Sequence, residues 1–403
     1  MKICIIGGGM AGMVCAIKAS ENKENQITIF ERNAEPGKKI LITGNGRCNL
    51  TNIDADNCGR YISKKPEFIK EFTNKHSYKN VIEFFEKLGL FIKEKNGGIY
   101  PLSNQASSVL TVLLNNINKP NITIKTGQYI TDIEVLADKY IVDGQSFDSI
   151  VFACGGKAGV YKENEYNGYK LIKKLGINTE FFHPALCGCN CEGDYKAING
   201  VRADARISLV SLTDDKVIHS EYGEVQFTEY GLSGIPVFNA SLYIDKELLD
   251  TKPFITVDFI PELSENQLSA KIKQILKEQG NNTLISALGG IINAKLVSYI
   301  LSLLNISDKL LISKTEDSQI DAIVNKLKNL IFPVKNLREY KNAQVMVGGV
   351  SIDEIKTSFE TQKYSNIYIL GEMLDVTGEC GGYNLNFAVG SGLTAGTELR
   401  DAR

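Results

Sequence analysis

Tryptophan is missing from the sequence, and histidine occurs only three times in 403 residues. Acid–base catalysis by histidine, the side chain most often used for it, therefore has few candidates. No apolar run is long enough to cross a bilayer, and the opening residues MKICIIGGG lack the layout of a secretory signal. The formal net charge of -2 gives no excess of positive charge for nucleic acid. We therefore expect a cytoplasmic protein that acts on a small molecule, and the oligomeric state stays open.

Cysteine is present but forms no framework. The nine cysteines are an odd number and are scattered along the chain, so we expect free thiols in a reducing compartment. The segment HPALCGCNC places Cys187, Cys189 and Cys191 at alternating positions, which would share one face of an extended strand, and His183 lies close by. Zinc takes four ligands, and this spacing matches no common ligand pattern, so we expect no metal site.

A glycine-rich turn joins the first predicted strand to the first predicted helix. Gly7, Gly9 and Gly12 form G-x-G-x-x-G between the apolar run KICII and the helical segment GMVCAIKASEN. These glycines permit the tight turn, the approach of a pyrophosphate, and close packing of the helix on the strand. Glu31 ends the second predicted strand, where a carboxylate can accept hydrogen bonds from a ribose. The arrangement predicts a dinucleotide site, which also includes Met10, Ala11 and Arg32.

Three later segments favour FAD over NAD as the dinucleotide. The segment GKKILITGNGRCNLTN follows Glu31 too soon for a plain third β–α–β unit, and the strand in FACGG ends at a glycine pair. The strand in YILGEMLD ends near two carboxylates. A ribityl chain needs a hydrogen-bond acceptor, for which Glu372 is the first choice and Asp375 the second. The segment GGYN opens the last helix, whose N–H groups would favour negative charge on a reduced flavin.

Five segments together resemble a known family. GGGMAGM, GKKILITGNGRCNLTN, GEVQFTEYGLSGIP, AQVMVGGV and GEMLDVTGECGGYNLNFAVGSGLTAG are similar to segments of the bacterial flavoproteins often called YhiN-like or BaiN-like, and they span nearly the whole chain. The resemblance implies FAD in a glutathione-reductase-like nucleotide fold, with an inserted β-barrel-like domain and a smaller helical one. It also implies an NAD(P)/FAD-dependent oxidoreductase. Some members are linked to reduction of unsaturated bile-acid intermediates and others to aminoacetone oxidation, so the substrate stays open.

The loop TGNGRCNLTN is expected to lie along the FAD, between the pyrophosphate and the flavin. Gly44 and Gly46 would let the backbone approach the cofactor closely. Arg47 and Asn49 would bond its polar atoms. Cys48 has no C-x(n)-C partner nearby, so we expect a packing residue beside the cofactor rather than half of a redox disulfide.

Charged and small residues complete the expected cofactor site. Lys38 or Lys39 would offset the charge of the phosphates. The other expected cofactor residues follow strands or open the last helix: Ala153, Cys154, Gly155, Gly371, Gly382, Tyr383 and Asn384.

The predicted fold class is α/β, with a discontinuous Rossmann-like FAD-binding domain that carries an inserted β-barrel-like domain and a small helical insert. The FAD-binding domain is expected at 1–188 and 342–403. The β-rich domain is expected at 189–261 and 326–341, around a helical insert at 262–325. The flavin is expected to lie between the nucleotide and β-rich domains, where clefts commonly form.

The predicted function is that of an FAD-dependent oxidoreductase, and NAD(P)H-dependent reduction of a small unsaturated organic substrate is favoured. Two alternatives stay open: a flavin oxidase of a small amine such as aminoacetone, using oxygen, and a flavin-binding redox sensor or carrier. No second G-x-G-x-x-G follows a strand, since GGKAG has the wrong spacing, so a nicotinamide would dock transiently. Because the flavin performs hydride transfer, no catalytic acid or base is assigned. The residues expected to form a pocket wall are Glu224, Thr228, Glu229, Tyr230 and Ser233.

Overall fold

The computed structural model describes residues 1–137, 139–159, 168–213, 215–278 and 282–402. The chain forms two compact units: Met1–Pro184 with Gln344–Arg403, and Ala185–Ala343. The first unit contains a five-stranded sheet and the second contains a closed six-stranded barrel. This confirms the predicted fold class. In the described residues, no helix combines the length and the apolar character needed to cross a membrane.

The sheet of the first unit is entirely parallel. Its strands, in spatial order, are Ile367–Ile369, Ser149–Phe152, Lys2–Ile6, Gln26–Phe30 and Ile122–Lys125. Ile3, Cys4 and Ile5 are consecutive and all fully buried, so both faces of the sheet are covered, which explains the unbroken apolar run of this strand. Because all strands run the same way, their carboxyl ends meet at one edge of the sheet.

Helices and short antiparallel pieces surround this sheet. The helices are Met10–Ala19 (the first helix), Pro66–Lys75, Tyr78–Lys87, Ala106–Ile117, Gly168–Lys174 and Tyr383–Asp401 (the last helix). Short 3-10 helices span Ile40–Gly46, Cys58–Arg60, Ile352–Glu354 and Gly371–Met373. The remaining strands are Thr51–Asn52, Tyr61–Ile62, Ile92–Lys95, Gly98–Pro101, Ile133–Val135, Tyr140–Val142, Gln145–Phe147, His183–Ala185, Val345–Val347 and Thr377–Gly378.

The last helix packs tightly against the first helix through glycines. A Cβ atom at Gly392 would lie 2.7 Å from the Ala11 carbonyl oxygen, and one at Gly396 would lie 2.8 Å from the Cys15 carbonyl oxygen. Larger residues would push the two backbones apart. Gly371 also faces this contact, since a Cβ atom there would lie 3.3 Å from the Ala11 side chain. The packing therefore places the loop after the strand Ile367–Ile369 beside the glycine-rich turn.

His76 holds the last helix from a second direction. It is buried, and its Nε2 lies 2.6 Å from Thr394 Oγ1. A Cβ atom at Gly390 would lie 2.6 Å from the Phe72 ring and 3.0 Å from His76, so the two side chains cover this glycine. Burial lowers the pKa of His76 to about 4, and the charge of Lys75 acts in the same direction. The folded protein therefore contains a neutral imidazole at neutral pH.

We expect His76 to make the folded state less stable as the pH falls from about 6.5 towards 4. In this window the unfolded chain binds a proton that the buried imidazole does not, so stability present above pH 6.5 is lost on acidification. The expected loss is about 2 kcal/mol between pH 7 and pH 5. Urea unfolding at the two pH values measures it. His76→Gln is the control, and an equal loss in both proteins would contradict the assignment.

The second unit is built on the closed barrel, in which every neighbouring pair of strands is antiparallel. In spatial order the strands are Cys189–Cys191, Gly231–Ser233, Val217–Thr228, Arg202–Val210, Phe254–Asp258 and Leu330–Leu337. Its helices are Ile235–Ser241, Lys246–Asp250, Glu265–Glu278, Leu284–Leu288, Ala294–Leu303 and Asp317–Lys328, with short 3-10 helices at Lys196–Ile198, Ile312–Lys314 and Tyr340–Asn342. Phe227 and Phe332 of the barrel share one apolar core with Leu268 and Ile300 of the helices. The helical segment therefore belongs to the same folded unit as the barrel.

The cysteine-rich segment is part of this unit's packing. The backbone turns at Leu186, where φ is 49°, and the strand spans only Cys189–Cys191. The three cysteines therefore do not lie on one regular strand, contrary to the expectation from their alternation. Cys189 is fully buried in the barrel core, and burial raises the pKa of Cys191 to about 12. Within the described residues, no group of three or more histidine, cysteine, aspartate or glutamate side chains is arranged to hold a metal ion.

Candidate cofactor site

The loops predicted to hold the cofactor follow four parallel strands of one sheet and emerge at the same edge. They begin at Gly7, Glu31, Ala153 and Leu370. The Gly7 N–H donates to the Phe30 carbonyl oxygen at 2.8 Å, which ties the first loop to the end of the strand Gln26–Phe30. In open parallel sheets, ligands bind outside the carboxyl ends of the strands. The fold therefore gathers sequence-distant segments into one candidate site within the first unit.

The three fingerprint glycines have different surroundings. Gly7 has φ of 115°, and a Cβ atom there would lie 2.3 Å from the Ala153 carbonyl oxygen. A Cβ atom at Gly12 would lie 2.1 Å from the Gly7 carbonyl oxygen. At Gly9, by contrast, a Cβ atom would meet no described atom within 4 Å. Packing requires glycine at Gly7 and at Gly12. Gly9, by contrast, precedes the first helix and faces open space, as the approach of a phosphate requires.

Glu31 ties the end of the second strand to the glycine-rich turn. Its Oε2 accepts the Gly8 N–H at 2.9 Å, and its Oε1 accepts the Asn33 backbone N–H at 2.8 Å and the Asn33 side-chain amide at 2.6 Å. A carboxylate oxygen can accept two hydrogen bonds, so Oε2 retains capacity for a ribose hydroxyl. Beside it, Met10 and Ala11 are buried in the first turn of the helix and Arg32 is half-buried.

Glu372 has one carboxylate oxygen that is engaged and one that is not. Its Oε2 accepts from Lys39 Nζ at 2.6 Å and from the Gly156 N–H at 3.1 Å. Its Oε1 is buried and has no hydrogen-bond partner among the described residues. Burying a polar atom without a partner is costly, so such an atom marks a place for a donor from a ligand. The hydroxyl groups of a ribityl chain are donors of this kind.

Asp375, the second choice for this role, is engaged by the protein backbone. Burial and the nearby Glu180 raise its pKa, while the backbone N–H groups of Lys64 and Gly348 donate to it and partly offset that rise. That Glu372 rather than Asp375 accepts from a ligand stays a prediction.

The loop that follows Glu31 contributes charged side chains and exposed backbone to this edge of the unit. Lys38 and Arg47 are exposed, whereas Lys39 is half-buried by its contact with Glu372. Gly44 and Gly46 have φ of 55° and 81°, a region that favours glycine, and they give the loop its kinked course. The loop therefore leaves two cations and stretches of backbone available at this edge of the unit.

Two residues of the same loop face inward. Cys48 is fully buried, and burial raises the pKa of its thiol to about 11, so it is a neutral packing group at neutral pH. The next cysteine along the chain, Cys58, is exposed, and Cys48 and Cys58 are both free thiols. The Asn49 Oδ1 accepts the Ile99 N–H at 3.1 Å, so this side chain anchors the loop to the strand Gly98–Pro101.

The loop after the strand Ser149–Phe152 is packed against Glu372. The Ala153 N–H donates to the Ile6 carbonyl oxygen at 2.9 Å, and the Cys154 Sγ lies 3.3 Å from the same oxygen. Burial raises the pKa of Cys154 to about 12. Gly155 has φ of 71°, and a Cβ atom at the next residue, Gly156, would lie 2.7 Å from the Glu372 carboxyl carbon. The glycine pair thus permits the contact that orients this carboxylate.

At the start of the last helix, Gly382, Tyr383 and Asn384 are all in contact with neighbouring protein segments. Gly382 has φ of 103°, and a Cβ atom there would lie 2.8 Å from the Thr51 carbonyl oxygen. Tyr383 is buried and contacts the Tyr61 ring edge to face, with centroids 5.8 Å apart. Asn384 exchanges two hydrogen bonds with Gly378, at 2.9 Å and 2.7 Å, so its side chain serves the protein itself. That the N–H groups of this helix start face a flavin stays a prediction.

The sequence did not predict one ion-pair network, which is centred on Arg60. Arg60 contacts Asp54 at 2.6 Å and Glu379 at 2.9 Å, and the Glu379 N–H donates to the Arg60 carbonyl oxygen. Arg60 thereby joins the segment before the helix Pro66–Lys75 to the loop that leads into the last helix. Arg60 and Glu379 are 319 positions apart, and nothing in the single sequence pairs them.

Comparison with known proteins identifies relatives along the full chain. Residues 1–398 match the family described as HI0933-like protein Rossmann domain. The chain is 36% identical over 403 residues to 3-dehydro-bile acid delta(4,6)-reductase of Clostridium scindens, with 98% of each chain covered. It is 25% identical over 404 residues to ribosomal RNA dihydrouridine synthase of Escherichia coli, covering 99% of this chain and 98% of the relative. The corresponding enzyme of Haemophilus influenzae is 24% identical over 393 residues, with 95% of this chain and 94% of the relative covered.

Proposed function

The chain belongs to the HI0933-like Rossmann-domain family, and we propose that it is an FAD-dependent oxidoreductase that reduces a carbon–carbon double bond conjugated to a carbonyl group. The observation that carries the reductase assignment is the 36% identity, over 98% of both chains, to a delta(4,6)-reductase. The more distant relatives are named for dihydrouridine, a uridine whose ring double bond is reduced. Both names imply reduction of a carbon–carbon double bond that is conjugated to a carbonyl group, which supports this reaction class.

The residues at the sheet edge fit FAD. The open space at Gly9, directly before the first helix, suits a diphosphate, because helix N-termini bind anions. The unpartnered Oε1 of Glu372 suits a donor such as a ribityl hydroxyl. When bound, FAD would supply hydride transfer, and the protein would bind and orient the reactants. In this proposal the glycine-rich turn holds the diphosphate and Glu372 holds the ribityl chain.

A small organic substrate is favoured over ribosomal RNA, which is the second candidate. Binding of RNA phosphates takes an excess of lysine and arginine, whereas this chain has a formal net charge of -2. The identity to the bile-acid reductase is also higher than that to the dihydrouridine synthases, at 36% against 25% and 24%. NADH or NADPH is the proposed electron donor, docking transiently as the sequence predicts. A cytoplasmic location would supply this donor and keep the free cysteines reduced.

We expect purified protein to carry FAD that bleaches under anaerobic NADH or NADPH and is reoxidised by a steroid with a conjugated enone. Absorbance near the flavin maximum follows both half-reactions, and chromatography identifies the released flavin. Bleaching by aminoacetone but not by NAD(P)H would contradict the reductase proposal in favour of an oxidase. Reoxidation by uridine-containing ribosomal RNA alone would favour the second candidate. A flavin that is reduced but reoxidised by no organic acceptor would favour a sensor or carrier.

A further inference from the structure

We infer that Lys39 is a positioning residue, which orients Glu372 so that one carboxylate oxygen is presented to the ribityl chain of the flavin. This inference rests on the proposed FAD function and goes beyond it by assigning a role to a residue that the sequence suggested for the phosphates. Two observations support it: the contacts of the Glu372 carboxylate, and the contacts of Lys39 and of the loop that carries it.

The Glu372 carboxylate is oriented by contacts to one of its two oxygens. Oε2 receives the Lys39 ammonium at 2.6 Å and the Gly156 N–H at 3.1 Å. A Cβ atom at Gly156 would lie 2.7 Å from the carboxyl carbon, so the carboxylate rests on the backbone of this glycine. Oε1 is left buried and without a partner among the described residues. Both donors therefore act on Oε2 and hold the carboxylate in one orientation, with Oε1 against the Gly156 backbone.

Lys39 is held in place by the loop that carries it. The Gly37 N–H donates to the Gly8 carbonyl oxygen at 2.8 Å, so this loop is fastened to the glycine-rich turn. The Lys39 Cε would lie 3.8 Å from a Cβ atom at Gly159, which places the side chain across from the loop after the strand Ser149–Phe152. The Lys39 and Glu372 side chains are 24% and 18% exposed. Their ion pair is therefore shielded from water more than a surface pair, and it is screened less.

Removing the ammonium would have two consequences for the ligand. Oε2 would keep only the Gly156 N–H, so the carboxylate could rotate and Oε1 would lose its fixed direction. The largely buried negative charge would also lose its cation, which is costly. The first effect weakens a hydrogen bond between Oε1 and a hydroxyl group, and the second destabilises the part of the protein that receives the ligand. The ribityl chain is common to FAD, FMN and riboflavin, so all three ligands should lose affinity by the same factor.

The rival role for Lys39 is direct contact with a phosphate. FAD and FMN contain phosphate and riboflavin contains none. A phosphate contact would therefore weaken FAD and FMN and leave riboflavin unchanged. The position of the lysine speaks against this role, because its charge is already offset by a carboxylate at 2.6 Å.

The test measures dissociation constants of FAD, FMN and riboflavin for the full-length apoprotein by quenching of flavin fluorescence. Lys39→Met should raise all three by a common factor of about tenfold to a hundredfold, which corresponds to ~1.5–3 kcal/mol for a hydrogen bond to a charged group. Lys39→Arg should restore most of the affinity. Lys70→Met, which removes an exposed lysine of the helix Pro66–Lys75, is the matched control and should change none of the three constants.

Thermal unfolding of each variant shows whether it is folded, and Lys39→Gln provides a second charge-free variant if Lys39→Met is unstable. Unchanged constants for all three flavins would overturn the inference. Weaker FAD and FMN with unchanged riboflavin would overturn it in favour of a phosphate contact. If the wild-type protein binds no flavin at all, the proposed function itself is wrong and the inference fails with it.

Discussion

Replacing Gly9 by valine is expected to give a folded protein that contains no FAD. The backbone at Gly9 has φ of -86° and ψ of -169°, which any residue adopts, and a Cβ atom there meets no described atom within 4 Å. The valine side chain would instead fill the space through which a diphosphate approaches the N-terminus of the first helix. A hydrogen bond to a charged group contributes about 1.5–3 kcal/mol. Loss of two such bonds would weaken FAD binding by roughly 10²-fold to 10⁴-fold.

Flavin content per protein chain, measured by chromatography after release, tests this expectation together with a thermal unfolding curve. Riboflavin, which has no phosphate, is the ligand control, and its affinity for Gly9→Val should stay close to that for the wild type. A Gly9→Val protein that retains a full complement of FAD would show that the diphosphate does not bind at this turn.

Replacing Gly12 by alanine is expected to destabilise the fold, although helix propensity alone predicts the opposite. Alanine in a helix interior is normally more stable than glycine by roughly 0.5–1 kcal/mol. At Gly12, however, the new Cβ atom would lie 2.1 Å from the Gly7 carbonyl oxygen, which belongs to the backbone of the adjacent turn. Separating the helix from this turn should cost about 1–3 kcal/mol, as for other overpacked cores, and this exceeds the gain in propensity.

Urea unfolding of Gly12→Ala and Gly9→Ala makes a matched comparison, because the same methyl group is added three residues apart. We expect a clear loss of stability for Gly12→Ala and a smaller one for Gly9→Ala, since Gly9 is the N-cap of the first helix and alanine is a poorer N-cap than glycine. Equal midpoints for the two variants would mean that the first helix does not press against the strand–helix turn at Gly12.

The glycine-rich turn could be predicted from the sequence because its determinants are local. An apolar run, three glycines at fixed spacing and a helical pattern follow one another without interruption, and each is explained by backbone geometry. The family resemblance likewise depended on contiguous segments, and the match over residues 1–398 confirms it. Local pattern was also sufficient for the α/β class, since consecutive strands and helices build the parallel sheet.

The pairings within the site could not be predicted in the same way. Lys39 and Glu372 are 333 positions apart, and the same holds outside the site, where His76 and Thr394 are 318 positions apart. The sequence identified both Lys39 and Glu372 as cofactor residues but gave them separate roles. Their contact depends on the packing of the last helix on the first and on the edge where parallel strands end, and neither leaves a local pattern.

By itself, then, the sequence determined the nucleotide-binding turn, the fold class and the family. Only the tertiary structure decided which polar atoms the protein satisfies and which it leaves without a partner among the described residues. The side chains of Asn49 and Asn384 bond the backbone at Ile99 and Gly378, and their expected place in the cofactor site stays a prediction. Glu372 keeps one buried oxygen without a partner. The difference is physical: whether a polar atom finds a donor depends on the backbone that surrounds it, and that backbone comes from segments far away in the chain.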